Sequence, residues 1–285
     1  MYSFSMSTQT FKQWIDSVKP VAPWILIVAI VLQCAFSPIA QFVLFPSGVL
    51  HAIKNITGGV LHQTFLAYVI LALFMGFFLC YLGGLRTKDF ALFRLKLLPA
   101  LGYMLVAWML IQISPLLLGY GLEIQASWSE DSIFLRRFSR FFFGQLIGNA
   151  LYEELFYRAF LISQFTLLFR KKCSLIIAIL LAILCSQLIF AVLHIPVRIV
   201  GGVPMELMVA NIASTFMIGL IFVCIFLLTK NILATAGLHA LWNASPNLFE
   251  HSSGSFGTKG LVIILVIILV CKCGYKRMRG TEVID

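Results

Sequence analysis

Charge is what this 285-residue sequence has least of: 11% of its residues are Asp, Glu, Lys or Arg, against 61% hydrophobic. A soluble domain averages about 25% charged, so too little polar surface remains to coat a water-soluble globule. The same scarcity excludes a disordered chain and a charged coiled coil. Cysteine excludes more. There are seven, with no CxxC pair and no Cys/His spacing suited to zinc. Cys34, Cys80, Cys173, Cys185 and Cys224 lie inside or beside apolar runs and read as small buried hydrophobes. Cys271 and Cys273 flank a basic tail and are candidates for acylation. The apolar runs are long and continuous rather than alternating, which favours a helical bundle over a barrel. What remains is an all-α membrane protein, a polytopic bundle of about eight transmembrane helices.

The eight runs are Val21–Phe45, Val60–Gly83, Leu97–Gly119, Phe142–Phe169, Ser174–Ile195, Leu207–Leu228, Ile232–Phe249 and Leu261–Cys271. A crossing needs about 20 residues. The first run is too long for a cleavable signal and predicts a retained span. The seventh carries Thr235, His239, Asn243 and Ser245, which would be costly against lipid, so it should be buried in protein. Residues 127–141 form a basic lead-in to the fourth run, suited to the membrane surface. The chain thus divides into residues 1–141, residues 142–249 with the polar clusters, and residues 250–285 with the last span and a basic tail. No internal repeat is present.

The net charge of +10 reflects topology rather than nucleic acid. The cations sit in short loops, without the aromatic-interleaved patches that nucleic acid requires. With eight spans, fourteen of the 21 cations fall on one side and six on the other, with Arg158 inside a run. The positive-inside bias then puts both termini in the cytoplasm.

Ionisable groups within apolar runs cost several kcal/mol, so each calls for a reason. Three clusters stand out. In the fourth run, Glu154 and Arg158 are four apart and share a helix face, as an ion pair would. Glu153, about 100° around the helix, is left for another partner and can serve as a base toward water. Gly144 and Gly148 upstream form a GxxxG that permits close helix contact. In the fifth run, His194 closes the span before Pro196, with Phe190 one turn earlier as a wall for its pocket. In the seventh, His239 and Asn243 are four apart and can donate hydrogen bonds to one point, as an oxyanion, a water or a metal would need. Each cluster alone also suits a structural polar network. All three together, in a chain with five His and eleven acids, favour a shared site. His51, His62, Glu250 and His251 fall near run ends and read as interfacial. Glu206 opens the sixth span, where it favours the helix dipole.

The ordered set Glu153-Glu154-x-x-x-Arg158, Phe190-x-x-x-His194 and His239-x-x-x-Asn243 resembles the CPBP family of intramembrane proteases, also called the Abi or type II CAAX prenyl endopeptidase family. The resemblance covers roughly Phe142 to Phe249. It implies peptide-bond hydrolysis within the membrane. Glu153 and His194 would activate water, and His239 and Asn243 would hold the oxyanion. Glu154 and Arg158 would orient the site. The substrate would be a membrane-associated or lipidated protein or peptide. The family has been called metalloprotease, and zinc on Glu153, His194 and His239 is the alternative to a metal-free site. No HExxH, the compact zinc signature, is present, and the metal-free reading is favoured.

Other intramembrane proteases fit poorly. There is no HExxH for a site-2-type enzyme, no GxGD for a presenilin-type one and no rhomboid GxSx with a downstream His. Two other classes compete with catalysis. A non-catalytic binder of the bacteriocin-immunity type need not keep Glu153 free. A transporter would favour internal repeats with broken helices, and none is found.

Overall fold

The computed structural model describes residues 11–91, 96–117, 136–249 and 260. The eighth run, most of the basic lead-in, Cys271, Cys273, Glu250 and His251 lie outside these residues. The described chain is helical. In order the helices are α1 (Phe11–Ser17), α2 (Pro23–Leu44), α3 (Val49–Ile56), α4 (Gln63–Leu82), α5 (Leu97–Leu117), α6 (residues 140–169), α7 (Leu175–Val192), α8 (Ile195–Val200), α9 (Met205–Thr229) and α10 (Ile232–Ala244). Among the described residues, four helical stretches are long and apolar enough to cross a membrane: Pro23–Leu44, Gln63–Leu82, Leu175–Val200 and Met205–Thr229. Their outward faces carry exposed Val31, Leu73, Phe77, Leu180 and Val209, an apolar surface suited to lipid rather than water. The protein is an integral membrane protein.

Local chemistry sets the helix ends. The neutral His62 ring caps α4, its Nδ1 accepting the Thr64 N–H at 3.2 Å. Asn231 caps α10, accepting from the Leu233 N–H at 3.2 Å, while its amide donates to the Lys96 carbonyl at 2.8 Å. One side chain thus starts α10 and ties it to the head of α5. The seventh run differs from its expected extent. Helix α10 has 13 residues, too few to cross the hydrocarbon core alone. Pro246 explains the stop, because the residue before a proline is pushed out of helical geometry. Ser245 is extended there, with ψ 134°. As the polar content of the run required, α10 is enclosed: every residue from Thr235 to Leu241 is buried. Pro196 does not close the fifth run. It sits in the first turn of α8, where its missing N–H costs nothing, so the run turns at His194 and continues as a short helix.

Helix α6 is the axis of the bundle, touching α4, α7 and α10. Its Glu153, Glu154 and Arg158 are buried, so lipid never meets them. The close approach to α4 depends on Gly148. A Cβ there would lie 3.1 Å from the Phe65 Cα and 2.8 Å from the Phe143 carbonyl oxygen. A Cβ at Gly144 would come 3.1 Å from His62 Nδ1. Gly219 plays the same part between α9 and α7, where a Cβ would meet Gln187 Oε1 at 2.6 Å and the Phe190 ring at 3.1 Å. Apolar packing fills the layers on either side. Leu71, Met75, Phe156, Phe160 and Phe190 form one cluster, and Ile111, Phe141, Phe222, Leu238 and Leu241 another. Gln164 fastens the chain ahead of α2, accepting from the Val21 N–H at 2.9 Å and donating to the Lys19 carbonyl at 3.0 Å.

Candidate active site

The carboxylate pair lies on α6 where the winding changes. Wider turns, bonded five residues apart, run through Arg140–Ala150 and Glu154–Leu161, with a regular turn at Leu151–Glu153 between them. Such π turns recur at functional sites. Glu154 Oε1 lies 3.2 Å from Arg158 Nη1, and neither side chain is exposed at all. The guanidinium rests over the Phe190 ring, its Cζ 4.5 Å from the centroid. This cation–π contact gives the buried charge a second partner.

His239 on α10 inserts between the two carboxylates. Its Nδ1 is 2.8 Å from Glu154 Oε1, and its Nε2 is 3.6 Å from Glu153 Oε2. Phe222 of α9 stacks on the imidazole, with centroids 4.6 Å apart and an interplanar angle of 24°. The ring is therefore fixed by one hydrogen bond and one aromatic face. Glu153 Oε1 accepts from the Tyr68 hydroxyl at 3.3 Å, while its buried Oε2 has no hydrogen-bond partner. A buried carboxylate oxygen without a donor is costly and suits a site that admits water or a polar ligand.

His194 stands at the joint of α7 and α8. Its Nδ1 lies 2.7 Å from the Phe190 carbonyl oxygen. A carbonyl only accepts, so Nδ1 carries the proton, and the neutral ring keeps the Nε2 lone pair free. The Phe190 ring packs edge-on against the imidazole at 4.6 Å. One residue thus fixes the tautomer of His194 with its backbone and walls both His194 and Arg158 with its ring.

Asn243 donates from Nδ2 to Gln145 Oε1 at 3.0 Å, and Gln145 Oε1 also accepts from Asn149 at 3.3 Å. Asn243 and His239 make no mutual hydrogen bond. They meet instead as walls of one cavity of about 510 Å³, which Glu153, His194 and Phe190 also line. Glu154 and Arg158 are not on its surface; they stand behind His239. Tyr68, Gln145, Asn149, Arg140, Arg198 and Thr215 also belong to the polar part of the wall. None of these six belongs to the three sequence motifs. Their trace in the sequence is a neutral polar group within an apolar run, as for Tyr68, or a cation at a run end, as for Arg198.

Among the described residues, no three His, Cys, Asp or Glu side chains gather as donors for a metal ion.

Residues 136–245 match the family model described as Type II CAAX prenyl endopeptidase Rce1-like. Over this segment the chain is similar to that family. No curated protein and no solved structure matches the chain. The Rce1-like segment holds all seven residues of the three motifs. Tyr68 and Gln33, which line the cavity from α4 and α2, lie outside it.

Proposed function

We propose that this protein is an intramembrane endopeptidase that hydrolyses a peptide bond of a membrane-associated or lipidated substrate, using water activated by Glu153 and His194. The observation that carries this reading is the single cavity shared by Glu153, His194, His239 and Asn243, with Glu153 Oε2 buried and without a donor. Water is a poor nucleophile, so a base must take its proton as it attacks. The Glu153 carboxylate and the lone pair on His194 Nε2 are the two bases in the wall. The hydroxide oxygen bonds to the scissile carbonyl carbon, and the carbonyl oxygen takes up negative charge. His239 Nε2–H and the second Nδ2 hydrogen of Asn243 then donate to it, in a setting where fixed donors count most. Collapse of the intermediate breaks the C–N bond, and the proton held by Glu153 or His194 passes to the leaving amine.

Glu154 Oε1 holds His239 Nδ1 at 2.8 Å, with Arg158 Nη1 3.2 Å from the same oxygen. Glu154 and Arg158 act by orienting His239 rather than by touching substrate. Comparative peptidomics of membranes holding the wild-type protein or Glu153→Gln tests the reading, with parallel metal analysis and chelator treatment of the purified protein. A product present only with the wild type, and indifferent to chelation, is expected. Product formation by both contradicts the assignment.

A further inference from the structure

Helix α4 meets α6 at three points in step. His62 lies against Gly144, the Phe65 backbone against Gly148, and the Tyr68 hydroxyl against Glu153. The glycines admit the close approach, and one turn beyond Phe65 the tyrosine comes level with the carboxylate. Its hydroxyl donates to Glu153 Oε1 at 3.3 Å. That separation is long for an O–H···O bond, as catalytic contacts often are before substrate arrives. Two neighbouring rings hold the tyrosine. Phe36 of α2 packs edge-on against it with centroids 5.7 Å apart, and Tyr152 packs tilted, also at 5.7 Å. The Tyr152 hydroxyl is engaged elsewhere, donating to Gln33 Oε1. The donor to Glu153 is thus a rigid group on the cavity wall, supplied by a helix outside residues 136–245.

A carboxylate that acts as a base needs such a group. The last torsion of a glutamate is broad and roughly two-fold, so its own stereochemistry leaves the two oxygens interchangeable. A fixed donor removes that freedom. With Oε1 turned to Tyr68, Oε2 is left 3.6 Å from His239 Nε2, buried and without a hydrogen-bond partner. We infer that Tyr68 is a positioning residue: its hydroxyl occupies Oε1 of Glu153, so that Oε2 is the oxygen that takes the proton from water. The tyrosine keeps its own proton throughout, and the proton from water goes to Oε2 and then to the leaving amine. This inference rests on the endopeptidase reading and adds to it a residue that neither the three motifs nor the family match assigns.

The test compares wild type, Tyr68→Phe and Tyr152→Phe, each as full-length protein in phosphatidylcholine nanodiscs, on a dansylated farnesylcysteine peptide ending in Val-Ile-Met. Tyr68→Phe keeps both ring contacts and removes the donor alone. Its kcat should fall about 10–100-fold, as for loss of a hydrogen bond to a charged group. KM should stay unchanged, the mark of an interaction used in the transition state. Tyr152→Phe removes a buried hydroxyl from the same ring pair and should lower Tm while turnover stays near that of wild type. A merely structural role would make the rate losses of both variants follow their Tm, and that result overturns the proposal. A rise in KM at constant kcat, which makes Tyr68 a substrate contact, overturns it too, as does an unchanged Tyr68→Phe rate. If wild type does not cut the peptide, the hydrolase reading fails, and infrared spectroscopy decides the positioning separately. In protein carrying ¹³C-labelled glutamate, the Glu153 carboxyl band is the one lost in Glu153→Gln. A shift of that band in Tyr68→Phe and not in Tyr152→Phe upholds the positioning of Glu153 by Tyr68; a band unmoved, or moved equally by both, overturns it.

Discussion

His239 Nδ1 lies 2.8 Å from Glu154 Oε1, and the same oxygen is 3.2 Å from Arg158 Nη1. One carboxylate oxygen therefore joins a cavity-lining imidazole to a fully enclosed guanidinium. Replacing Glu154 by Ala should cost on two counts. It leaves Arg158 as an uncompensated buried charge, worth about 3–5 kcal/mol of stability, and it frees the His239 ring. Thermal melting in detergent should show the first as a marked drop in Tm. In the milder Glu154→Gln, folding should largely survive while turnover falls.

Asn243 presents the more separable part of the site. Loss of one preorganised oxyanion donor typically lowers kcat by about 10²–10³. Asn243→Ala should do so with little change in KM and no large change in Tm, since the residue lines a cavity rather than filling the core. Gln145→Leu, which removes the acceptor that holds the Asn243 amide at 3.0 Å, should give a smaller loss of the same kind. Steady-state kinetics on any cleaved peptide checks both.

Helix contact supplies a prediction independent of chemistry. Gly148→Leu forces atoms into the Phe65 backbone, and overpacking of this kind costs about 1–3 kcal/mol. A Cβ at Gly102 on α5 would meet nothing within 4 Å, so Gly102→Ala should stabilise by about 0.5–1 kcal/mol through helix propensity. Opposite shifts in Tm for the two glycine variants are the expected result.

His62 gives the fold a pH dependence outside the spans. Burial, with help from Lys54 and Arg140, lowers its pKa from 6.5 to about 4. The folded state thus prefers the neutral ring, whose Nδ1 accepts the capping hydrogen bond from Thr64. A depressed histidine pKa means the contribution is whole above pH 6.5 and is lost as pH falls toward 4. Melting curves from about pH 7 to about pH 4 should show Tm falling across that window, and His62→Asn, which keeps a cap acceptor without the titration, should flatten the fall.

The legible features were those whose cost in lipid is high. Glu153, Glu154, Arg158 and His239 stood out because charge within an apolar run demands a partner. The Glu154–Arg158 pairing followed from a four-residue spacing alone. The burial of α10 followed from its polar content, and its early end could have been read from Pro246. Less legible was anything set by contacts between distant parts of the chain. Tyr68 reaches Glu153 across 85 residues, and Asn243 reaches Gln145 across 98. Neutral polar groups carry too small a penalty to mark themselves in the sequence. Pro196 misled, because a proline that ends one helix is equally at home in the first turn of the next.

The central claim is that Glu153 activates the attacking water. The direct measurement is turnover by the purified protein in ¹⁸O-labelled water, wild type beside Glu153→Gln at matched Tm. The account predicts one ¹⁸O in the new C-terminal carboxyl group of the wild-type product and no product from the variant. A Glu153→Gln rate within about tenfold of wild type, below the 10²–10⁴-fold typical of a positioned base, would contradict it.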